Sequence, residues 1–270
     1  MMLISFNKIV SSLTVIATIA TLGTGGAFAA KPTPAPTVPL GNDISYPQCR
    51  KSLPTNQAFG IVGVNDGLAN TTNPCFASEL GWAQKSAGGT SQDKAALYVN
   101  TANPGHASTS WPSDNNYKGI TVPSDAYGTC DGSENAACAY VYGYEKAYDD
   151  VNYRGVANPN TYKWWLDVET MNSWGADKAA NAADLEGMTA YFQSIGARVG
   201  IYSTGYQWGQ IAGTVSATSN LNGLDSWLAG AGSLSGAKTA CANNVGLTPG
   251  STVSLAQYVA SNLDYDYSCL

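Results

Sequence analysis

Short apolar runs alternate with helix-like segments along most of this chain. The runs are rich in Ile, Val and aromatic residues, which favour β-strands. Strands are predicted at residues 43–46, 59–64, 95–100, 162–168, 199–204, 225–229 and 255–259, and a weaker pattern at 245–247 is compatible with one more. Helices are predicted at residues 79–87, 136–153, 177–195 and 207–211. Strands separated by helices indicate parallel β-α units, so the fold class is α/β.

Seven or eight such units in about 230 residues favour an irregular (β/α)8 TIM-type barrel built as a single domain. A doubly wound open sheet is the alternative architecture. No Gly-x-Gly-x-x-Gly segment opens a helix, so no dinucleotide site and no cofactor are predicted. In either architecture, ligands bind at the end of the sheet where the parallel strands terminate.

The first 40 residues break this pattern. Lys8 precedes an apolar stretch, and Ala27-Phe28-Ala29 has the small-x-small form of a cleavage site, so residues 1–29 are predicted to be a secretory signal peptide. An uncleaved membrane anchor is the alternative. Alternating prolines in residues 30–40 predict an extended linker, which leaves residues 41–270 for the folded domain. We therefore expect a secreted, extracellular or wall-associated protein without membrane contact after cleavage.

Six cysteines are present, and an even number in an exported chain predicts disulfides. Proximity along the chain favours one of the fifteen possible pairing schemes, Cys49–Cys75, Cys130–Cys138 and Cys241–Cys269. The disulfides would stabilise the barrel. No Cys-x-x-Cys pair occurs and His106 is the only histidine, so no metal site is predicted.

The formal net charge is −6, and cleavage after Ala29 would remove Lys8 and leave −7. An acidic chain lacks the clustered Lys and Arg side chains that nucleic-acid binding requires, so a nucleic-acid partner is excluded. A wall glycan would have to be held by local contacts, because the net charge offers no long-range attraction to anionic polymers. We expect the protein to be a monomer.

The run at residues 162–168 leads into two carboxylates, Asp167 and Glu169. Because side chains alternate along a strand, these two acids share a face. Burial and mutual repulsion then oppose ionisation of both, which suits an acid that has to keep its proton. An arbitrary Asp-x-Glu is more often a solvated strand end. Here, Asn100, Tyr202 and Gln257 also fall at predicted strand ends, where barrels bind their ligands.

Other catalytic chemistries have weaker support in this sequence. A Ser-His-acid triad would need His106, which lies in a Pro-Gly turn, and no Gly-x-Ser-x-Gly segment accompanies it. A cysteine nucleophile is disfavoured by the even cysteine count. Glycosidases use a pair of carboxylates for catalysis, and exposed aromatic rings would contact the sugar. Half of the aromatic side chains are expected to do no more than pack in the core.

Short motifs in a fixed order resemble glycoside hydrolase family 25, the secreted muramidases with an irregular β/α barrel. The segment at 41–48 resembles the opening G-x-D-x-S-x-x-Q of that family, and residues 167–169 resemble its D-x-E strand. Further matches lie at residues 202–204, 227–229, 257–258 and 263–266. The chain also resembles an uncharacterised actinobacterial branch of secreted family-25-like domains.

The resemblance implies a role for each matched residue. Glu169 would be the general acid, and Asp167 would position a substrate acetamido group or stabilise developing charge. Asp43 and Asp264 would be two further acids of the site. We expect Asp167 to keep a low pKa and to raise the pKa of Glu169. Substrate-binding roles are expected for Tyr46, Gln48, Asn100, Trp165, Tyr202, Trp227, Gln257 and Tyr258.

The leading hypothesis is a muramidase-type glycosidase that cleaves a β-1,4-linked amino-sugar polymer such as peptidoglycan, with retention through substrate assistance. A non-catalytic carbohydrate- or wall-binding protein on the same barrel is the alternative, and a disulfide-bonded structural protein without a glycan site is a third. The chain departs from the family in its three disulfides, in a polar insert at 106–131 that would overhang the site, and in a Gly- and Ala-rich region between Trp227 and Gln257.

Overall fold

Eight strands close into a barrel whose interior holds an aromatic cluster and, at one end, a group of acids. The computed structural model describes residues 39–124 and 127–270. The predicted signal peptide at 1–29 lies outside the described residues, and so does the predicted linker at 30–40 apart from Pro39 and Leu40. The boundaries of these segments therefore stay predictions.

Ten strands occur in the described residues, and eight of them form the barrel. The strands are β1 (Leu40–Ile44), β2 (Gly60–Gly63), β3 (Ala95–Asn100), β4 (Asn116–Tyr117), β5 (Ile120–Thr121), β6 (Lys163–Asp167), β7 (Arg198–Ser203), β8 (Asp225–Ala231), β9 (Val253–Ala260) and β10 (Leu263–Ser268). The barrel order is β1-β10-β9-β8-β7-β6-β3-β2, and β4 pairs with β5 as a separate small sheet.

The barrel confirms the predicted α/β fold class, but one strand does not run parallel to the others as the β-α pattern predicts. The seven strands from β1 to β9 that belong to the barrel run parallel to one another. The last strand, β10, pairs antiparallel with both β9 and β1. A short hairpin at residues 261–262 replaces the final helix and reverses the chain. As a result, β10 begins at the barrel end where the other strands terminate, which we call the mouth.

Helices cover the outside of the barrel. They are α1 (Phe76–Ala83), α2 (Ala136–Tyr153), α3 (Lys178–Ser194), α4 (Gly205–Ile211) and α5 (Leu234–Asn243). The predicted span of α2 is confirmed, whereas α1 begins three residues before its predicted start. The strand predicted at 245–247 is wrong, and α5 was not predicted. Its Gly- and Ala-rich sequence has one buried residue, Ala237, so no apolar stripe marks it as a helix.

The alternation along β6 separates two layers of the core. Trp164 and Leu166 face outward and pack under the helices, where the ring of Trp164 stacks on Phe192 at 4.5 Å. Trp165 faces inward and belongs to an aromatic cluster inside the barrel, in which its ring contacts that of Trp227 edge to face at 5.7 Å. Asp167 follows on the same inward face, one step nearer to the mouth. The barrel interior therefore changes from aromatic to acidic within one strand.

The three predicted disulfides are confirmed. Cys49–Cys75 joins the turn after β1 to the start of α1, and Cys130–Cys138 joins the insert to the first turn of α2. Cys241–Cys269 joins α5 to the residue after β10. The links tie the peripheral segments to the barrel. None of the helices in residues 39–124 and 127–270 has the length and apolar character needed to cross a bilayer.

Candidate active site

Side chains near the ends of four neighbouring strands form one row across the mouth. The register aligns Asn100 with Asp167, Asp167 with Tyr202, and Tyr202 with Trp227. Asn100 Nδ2 donates a hydrogen bond to Asp167 Oδ2 at 2.9 Å. The rings of Tyr202 and Trp227 lie 4.4 Å apart. The row exists because parallel strands terminate at the same edge of the barrel, which is where the sequence pattern predicts Asp167 and Tyr202 to lie.

The antiparallel strand β10 completes the mouth from the other side. Asp264 lies opposite Asp43 of β1 in the register. Gln257 of β9 connects both sides, because its Nε2 donates to Asp43 Oδ2 at 2.8 Å and its Oε1 accepts from the Tyr202 hydroxyl at 2.8 Å. The predicted position of Asp43 at the start of its strand is wrong. The strand begins at Leu40, so Asp43 lies near its end and reaches the mouth.

A cavity of about 280 Å³ opens at this point. It brings together all four predicted catalytic acids and three of the eight predicted substrate-binding residues. Its lining consists of Asp43, Tyr98, Asp167, Glu169, Tyr202, Trp227, Gln257, Val259 and Asp264. A fifth acid, Asp266, is fully buried behind this lining, where Trp227 Nε1 donates to its Oδ1 at 2.8 Å.

The acids on β1 and β10 hold their protons more tightly than free carboxyls do. Burial and the charge of Asp264 raise the pKa of Asp43 from 3.8 to about 7, against hydrogen bonds from Gln257 and Asp266. Burial also raises the pKa of Asp264. Burial, aided by the charge of Asp43, raises the pKa of Asp266 well above its usual range. Protonated carboxyls therefore persist at the mouth into the neutral range.

The Asp-x-Glu pair behaves in the same way. Asp167 is 6% exposed. Burial first, and the charges of Glu169 and Asp43 second, raise the pKa of Asp167 well above its usual range. The expectation that Asp167 keeps a low pKa is therefore wrong. Burial also raises the pKa of half-buried Glu169, while a hydrogen bond from Gln207 lowers it. The expected direction for Glu169 is confirmed, with burial as its main cause.

Glu169 lies two residues beyond the end of β6, in a loop that its neighbours hold in place. Its carbonyl oxygen accepts a hydrogen bond from Trp174 Nε1 at 2.8 Å. The next residue, Thr170, donates through its backbone N–H and its hydroxyl to Gln207 Oε1 at 2.6 and 3.0 Å. These contacts fix the backbone on the C-terminal side of Glu169, so its carboxyl is oriented before any ligand binds.

Five predicted substrate-binding residues do not line the cavity. Asn100 supports Asp167 instead. Tyr46 is 41% exposed outside the lining, and Gln48 Oε1 accepts the Ser45 backbone N–H at 3.0 Å within a tight turn. The prediction for Trp165 is wrong, because this ring is fully buried below the acids and cannot reach a sugar. Tyr258 stacks on Tyr265 at 5.4 Å and also lies outside the lining.

Four residues of the site were not predicted. Tyr98 and Val259 line the cavity, Gln207 bonds the Glu169 loop, and Asp266 bonds Trp227. Period-two alternation was a usable signal for two of them: Tyr98 precedes Asn100 by two residues, and Asp266 follows Asp264 by two. No sequence signal marked Gln207, because it reaches the site from α4.

The acids at the mouth lack a compensating cation among the described residues. None of the five carboxylates forms an ion pair with any residue among 39–124 and 127–270. No group of three or more His, Cys, Asp or Glu side chains in that part of the chain could hold a metal ion. His106 lies on the insert, where it contacts Glu134 and the Gly132 carbonyl, and it does not line the cavity. The arrangement can donate and accept protons within a small, half-enclosed space.

Comparisons with known proteins point to lysozymes. A family model described as lysozyme-like protein 1 matches residues 135–240, a span that includes Asp167, Glu169, Tyr202 and Trp227. The chain is 41% identical over 63 residues to a probable GH family 25 lysozyme 4 of Dictyostelium discoideum, which is 23% of this chain and 29% of that relative. It is 47% identical over 49 residues to lysozyme-like protein 5 of Caenorhabditis elegans, which is 18% of this chain and 22% of the relative.

The chain thus spans less than a third of the length of the curated relatives it matches. No solved structure gives a significant match. A closed α/β barrel with a carboxylate-lined mouth is an architecture on which glycosidases are built. Over these stretches the chain is similar to lysozyme-like proteins, among them a family 25 lysozyme, which agrees with the resemblance that the residue motifs carry. Its similarity to an actinobacterial branch stays a prediction.

Proposed function

We propose that this protein is a secreted muramidase-type glycosidase that cleaves β-1,4-linked amino-sugar polymers such as peptidoglycan. The observation that carries the proposal is the mouth itself, where five carboxylates converge without an ion pair to any described residue. Glycosidic bond cleavage needs a protonated acid beside the leaving oxygen and negative charge near the sugar carbon that becomes positive. A raised pKa for Glu169 supplies the first requirement.

Glu169 is the general acid in this mechanism. It is half-buried and lines the cavity, so its proton can reach a glycosidic oxygen. The proton moves to that oxygen as the bond between it and C1 of the sugar breaks. The acetamido oxygen of the same sugar attacks C1 and forms a cyclic intermediate. A water molecule then adds to C1 as the bond between C1 and the acetamido oxygen breaks, and the water gives a proton to Glu169, with net retention of configuration.

Asp167 positions the acetamido group that attacks. Its Oδ2 accepts from Asn100, whereas its Oδ1 has no hydrogen-bond partner among the described residues. Asp167 also lines the cavity, so its carboxyl can accept a hydrogen bond from the N–H group of the sugar. Asp264, whose negative charge raises the pKa of Asp43, stabilises the positive charge that develops at C1, and Asp43 lies beside it on the opposite side of the mouth. Tyr202 holds Gln257, which in turn orients Asp43.

The proposal also includes that the protein is exported and that it is a monomer. Three disulfides suit an oxidising compartment, and the predicted signal peptide at 1–29 would deliver the chain there. Residues 30–40 act as an extended linker before the domain at 41–270. The similarity to a named lysozyme supports a wall glycan as substrate. No nucleic acid and no cofactor take part.

The test is the release of reducing ends from purified peptidoglycan by the wild type and by Glu169→Gln. Loss of the proton donor should lower the rate by about a thousandfold. The control variant Asp66→Asn removes an exposed carboxyl outside the cavity and should leave the rate unchanged. Thermal unfolding checks that both variants fold. Equal rates for Glu169→Gln and wild type would refute the mechanism.

A binding-only function makes a different prediction in the same experiment. The wild type would then be retained on insoluble peptidoglycan without releasing reducing ends, and Glu169→Gln would bind as well as the wild type. This outcome would support the alternative, in which the mouth binds carbohydrate without cleaving it. A protein that neither binds nor cleaves the polymer would exclude both functions.

A further inference from the structure

A second cavity, of about 220 Å³, lies beside the loop that carries Glu169. We call it the side pocket. Its lining comes from the loop after β3, the loop after β6 and residues at the starts of α2 and α3, and it includes Asn103, Trp111, Glu134 and Asp177. The pocket is separate from the mouth cavity, since the two share no lining residue.

Backbone hydrogen bonds connect the side pocket to the catalytic loop. Asn103 N donates to Ser173 O at 2.9 Å, and Gly175 N donates to Asn103 O at 3.0 Å. Between them, Trp174 donates to the carbonyl of Glu169. One wall of the side pocket is therefore the continuation of the segment that orients the general acid.

Asn103 lines this pocket and has an unused acceptor. It is 5% exposed, and its Nδ2 donates to Asn181 Oδ1 at 2.9 Å. Asn181 Nδ2 donates to the carbonyls of Gly175 and Ile211, so Asn181 Oδ1 has to be the acceptor in this pair. The free atom of Asn103 is consequently its oxygen, and no donor reaches it among the described residues. A buried acceptor without a partner favours a ligand that brings an N–H or O–H group.

Two carboxylates add negative charge to the same pocket. Glu134 accepts the His106 backbone N–H at 2.5 Å and lies 3.6 Å from His106 Nδ1, and Asp177 caps α3 by accepting from Ala179 N at 2.9 Å. Both acids lie at helix N-termini, whose partial positive charge offsets only part of theirs. The neighbouring lysine, Lys178, points its ammonium to the Gly209 carbonyl at 2.6 Å. The side chains that face the pocket therefore offer acceptors and the ring of Trp111.

We propose that the side pocket binds a primary ammonium group carried by the glycan substrate. An ammonium brings three N–H donors and a positive charge, which matches one unsatisfied amide oxygen and two carboxylates. The indole of Trp111 adds a face on which a cation is favourable. The ammonium can come from an amino sugar without its acetyl group or from the side chain of an attached peptide. This inference rests on the proposed function, since it names the substrate of the same catalytic loop.

The test compares substrates that differ in their amines. The three substrates are a fully N-acetylated glycan without peptide, a partly de-N-acetylated glycan without peptide, and an N-acetylated glycan that carries peptides with a free side-chain amine. The test variant is Glu134→Gln/Asp177→Asn. Gln keeps an acceptor for His106 N, and Asn is as good a helix cap as Asp. The control is Asp66→Asn/Asp114→Asn, which makes the same charge change at exposed positions outside both cavities.

The expected result is selective. The test variant should raise KM about tenfold for an amine-bearing glycan and leave the fully N-acetylated glycan unaffected. The control should change neither. Which of the two amine-bearing glycans responds identifies the source of the ammonium. An equal effect on all three substrates, or no effect on any, would overturn the inference.

A binding measurement separates this inference from the proposed function. Tryptophan fluorescence would be followed during titration with a glucosamine tetramer, with Nα-acetyl-lysine amide and with an N-acetylglucosamine tetramer as reference. Saturable binding of either amine probe, lost in the test variant, supports the side pocket even if no polymer is cleaved. Failure of both amine probes to bind overturns it, even if hydrolysis of the N-acetylated glycan is efficient.

Discussion

Two clusters of carboxylates are sheltered from solvent in this protein, one at the barrel mouth and one carried by α2 and α3. The mouth cluster consists of Asp43, Asp167, Glu169, Asp264 and Asp266. The helix cluster consists of Glu145, Asp149, Asp150 and Asp184. Burial raises the pKa of at least three acids in each, so burial alone does not distinguish them.

The helix cluster contains cations. Lys118 donates to Asp149 at 2.6 Å, and Lys146 lies 3.9 Å from the same carboxylate. Arg154 pairs with Asp150 at 3.2 Å. Each cation opposes the effect of burial and favours the ionised acid. The arrangement is that of a structural ion-pair network, in which charge is compensated as far as the packing allows.

The mouth cluster has neighbouring acids where the helix cluster has cations. Asp264 raises the pKa of Asp43, and Glu169 together with Asp43 raises that of Asp167, so neighbouring carboxylates add to the effect of burial. The opposing hydrogen bonds come from neutral amides such as those of Asn100 and Gln257. The contrast shows that this chain can supply a cation to a buried acid and, within its described residues, does not do so at the mouth. Retained protons are what an acid catalyst requires.

The largest expected effect concerns Lys146, which is 3% exposed in the helix cluster. Lys146→Met keeps most of the side-chain volume and removes the charge that faces Asp149, Asp184 and Glu145. Breaking a buried ion pair should lower the free energy of unfolding by about 3 kcal/mol. Urea unfolding at neutral pH measures this loss in the free energy of unfolding.

The control is Lys118→Met, whose side chain is 42% exposed. It should cost less than about 1 kcal/mol, because an exposed ion pair contributes little. Similar losses in the two variants would mean that burial of the cation does not matter, and the helix cluster would lose its distinction from the mouth.

Asp43→Asn should change the free energy of unfolding in the opposite direction, because it should stabilise the protein. In the wild type, the pKa of Asp43 is about 7 in the folded state, against 3.8 for a free aspartate side chain, so the folded state binds its proton more tightly. The contribution of Asp43 to stability is complete below about pH 4 and is lost as the pH rises towards 7. Asp43→Asn removes this loss and should stabilise the protein on the order of 3 kcal/mol at pH 8.

At pH 4 the same variant should unfold at the wild-type urea concentration, since both side chains are then neutral in the folded protein. A stability difference that is equal at pH 4 and pH 8 would contradict the assigned cause. Destabilisation at pH 8 would show that the negative charge of Asp43 is compensated in the folded protein. The mouth cluster would then not differ from the helix cluster.

The smallest effect is expected for Gln207→Met, which removes the hydrogen bond that lowers the pKa of Glu169. The pKa of Glu169 should rise further. Because the general acid works only when protonated, activity is lost as the pH rises through this pKa. The alkaline limb of the pH–activity profile should therefore move to higher pH. Gln84→Met, at an exposed glutamine that bonds Tyr162, should leave the profile unchanged.

Much of this site could be predicted from strand ends alone. Asp167, Glu169, Tyr202 and Gln257 follow or end runs that are typical of parallel strands, and the barrel brings them together for that reason. The depth of a side chain inside the barrel could not be predicted. Trp165 shares the inward face with Asp167, yet it lies one layer lower and is sealed beneath the acids.

Other errors have local causes. The first strand was placed three residues late because Gly41 and Asn42 are poor strand formers, and this displaced Asp43 from the mouth. The antiparallel course of β10 depends on the hairpin residues Ser261 and Asn262, both at positive φ, which no β-α pattern anticipates. The helix α5 has almost no buried face, so periodicity does not mark it, and the disulfide Cys241–Cys269 joins it to the residue after β10.

The most direct test of the contrast is a 13C NMR titration of the Asp and Glu side-chain carboxyls, with Asp43→Asn and Glu169→Gln used for assignment. We expect the Asp43 carboxyl to titrate near pH 7, and those of Asp167 and Asp266 to stay protonated well above the usual range of aspartate. A spectrum in which all five carboxyls of the mouth are ionised by about pH 5 would contradict the account, since no proton would remain at the mouth for catalysis.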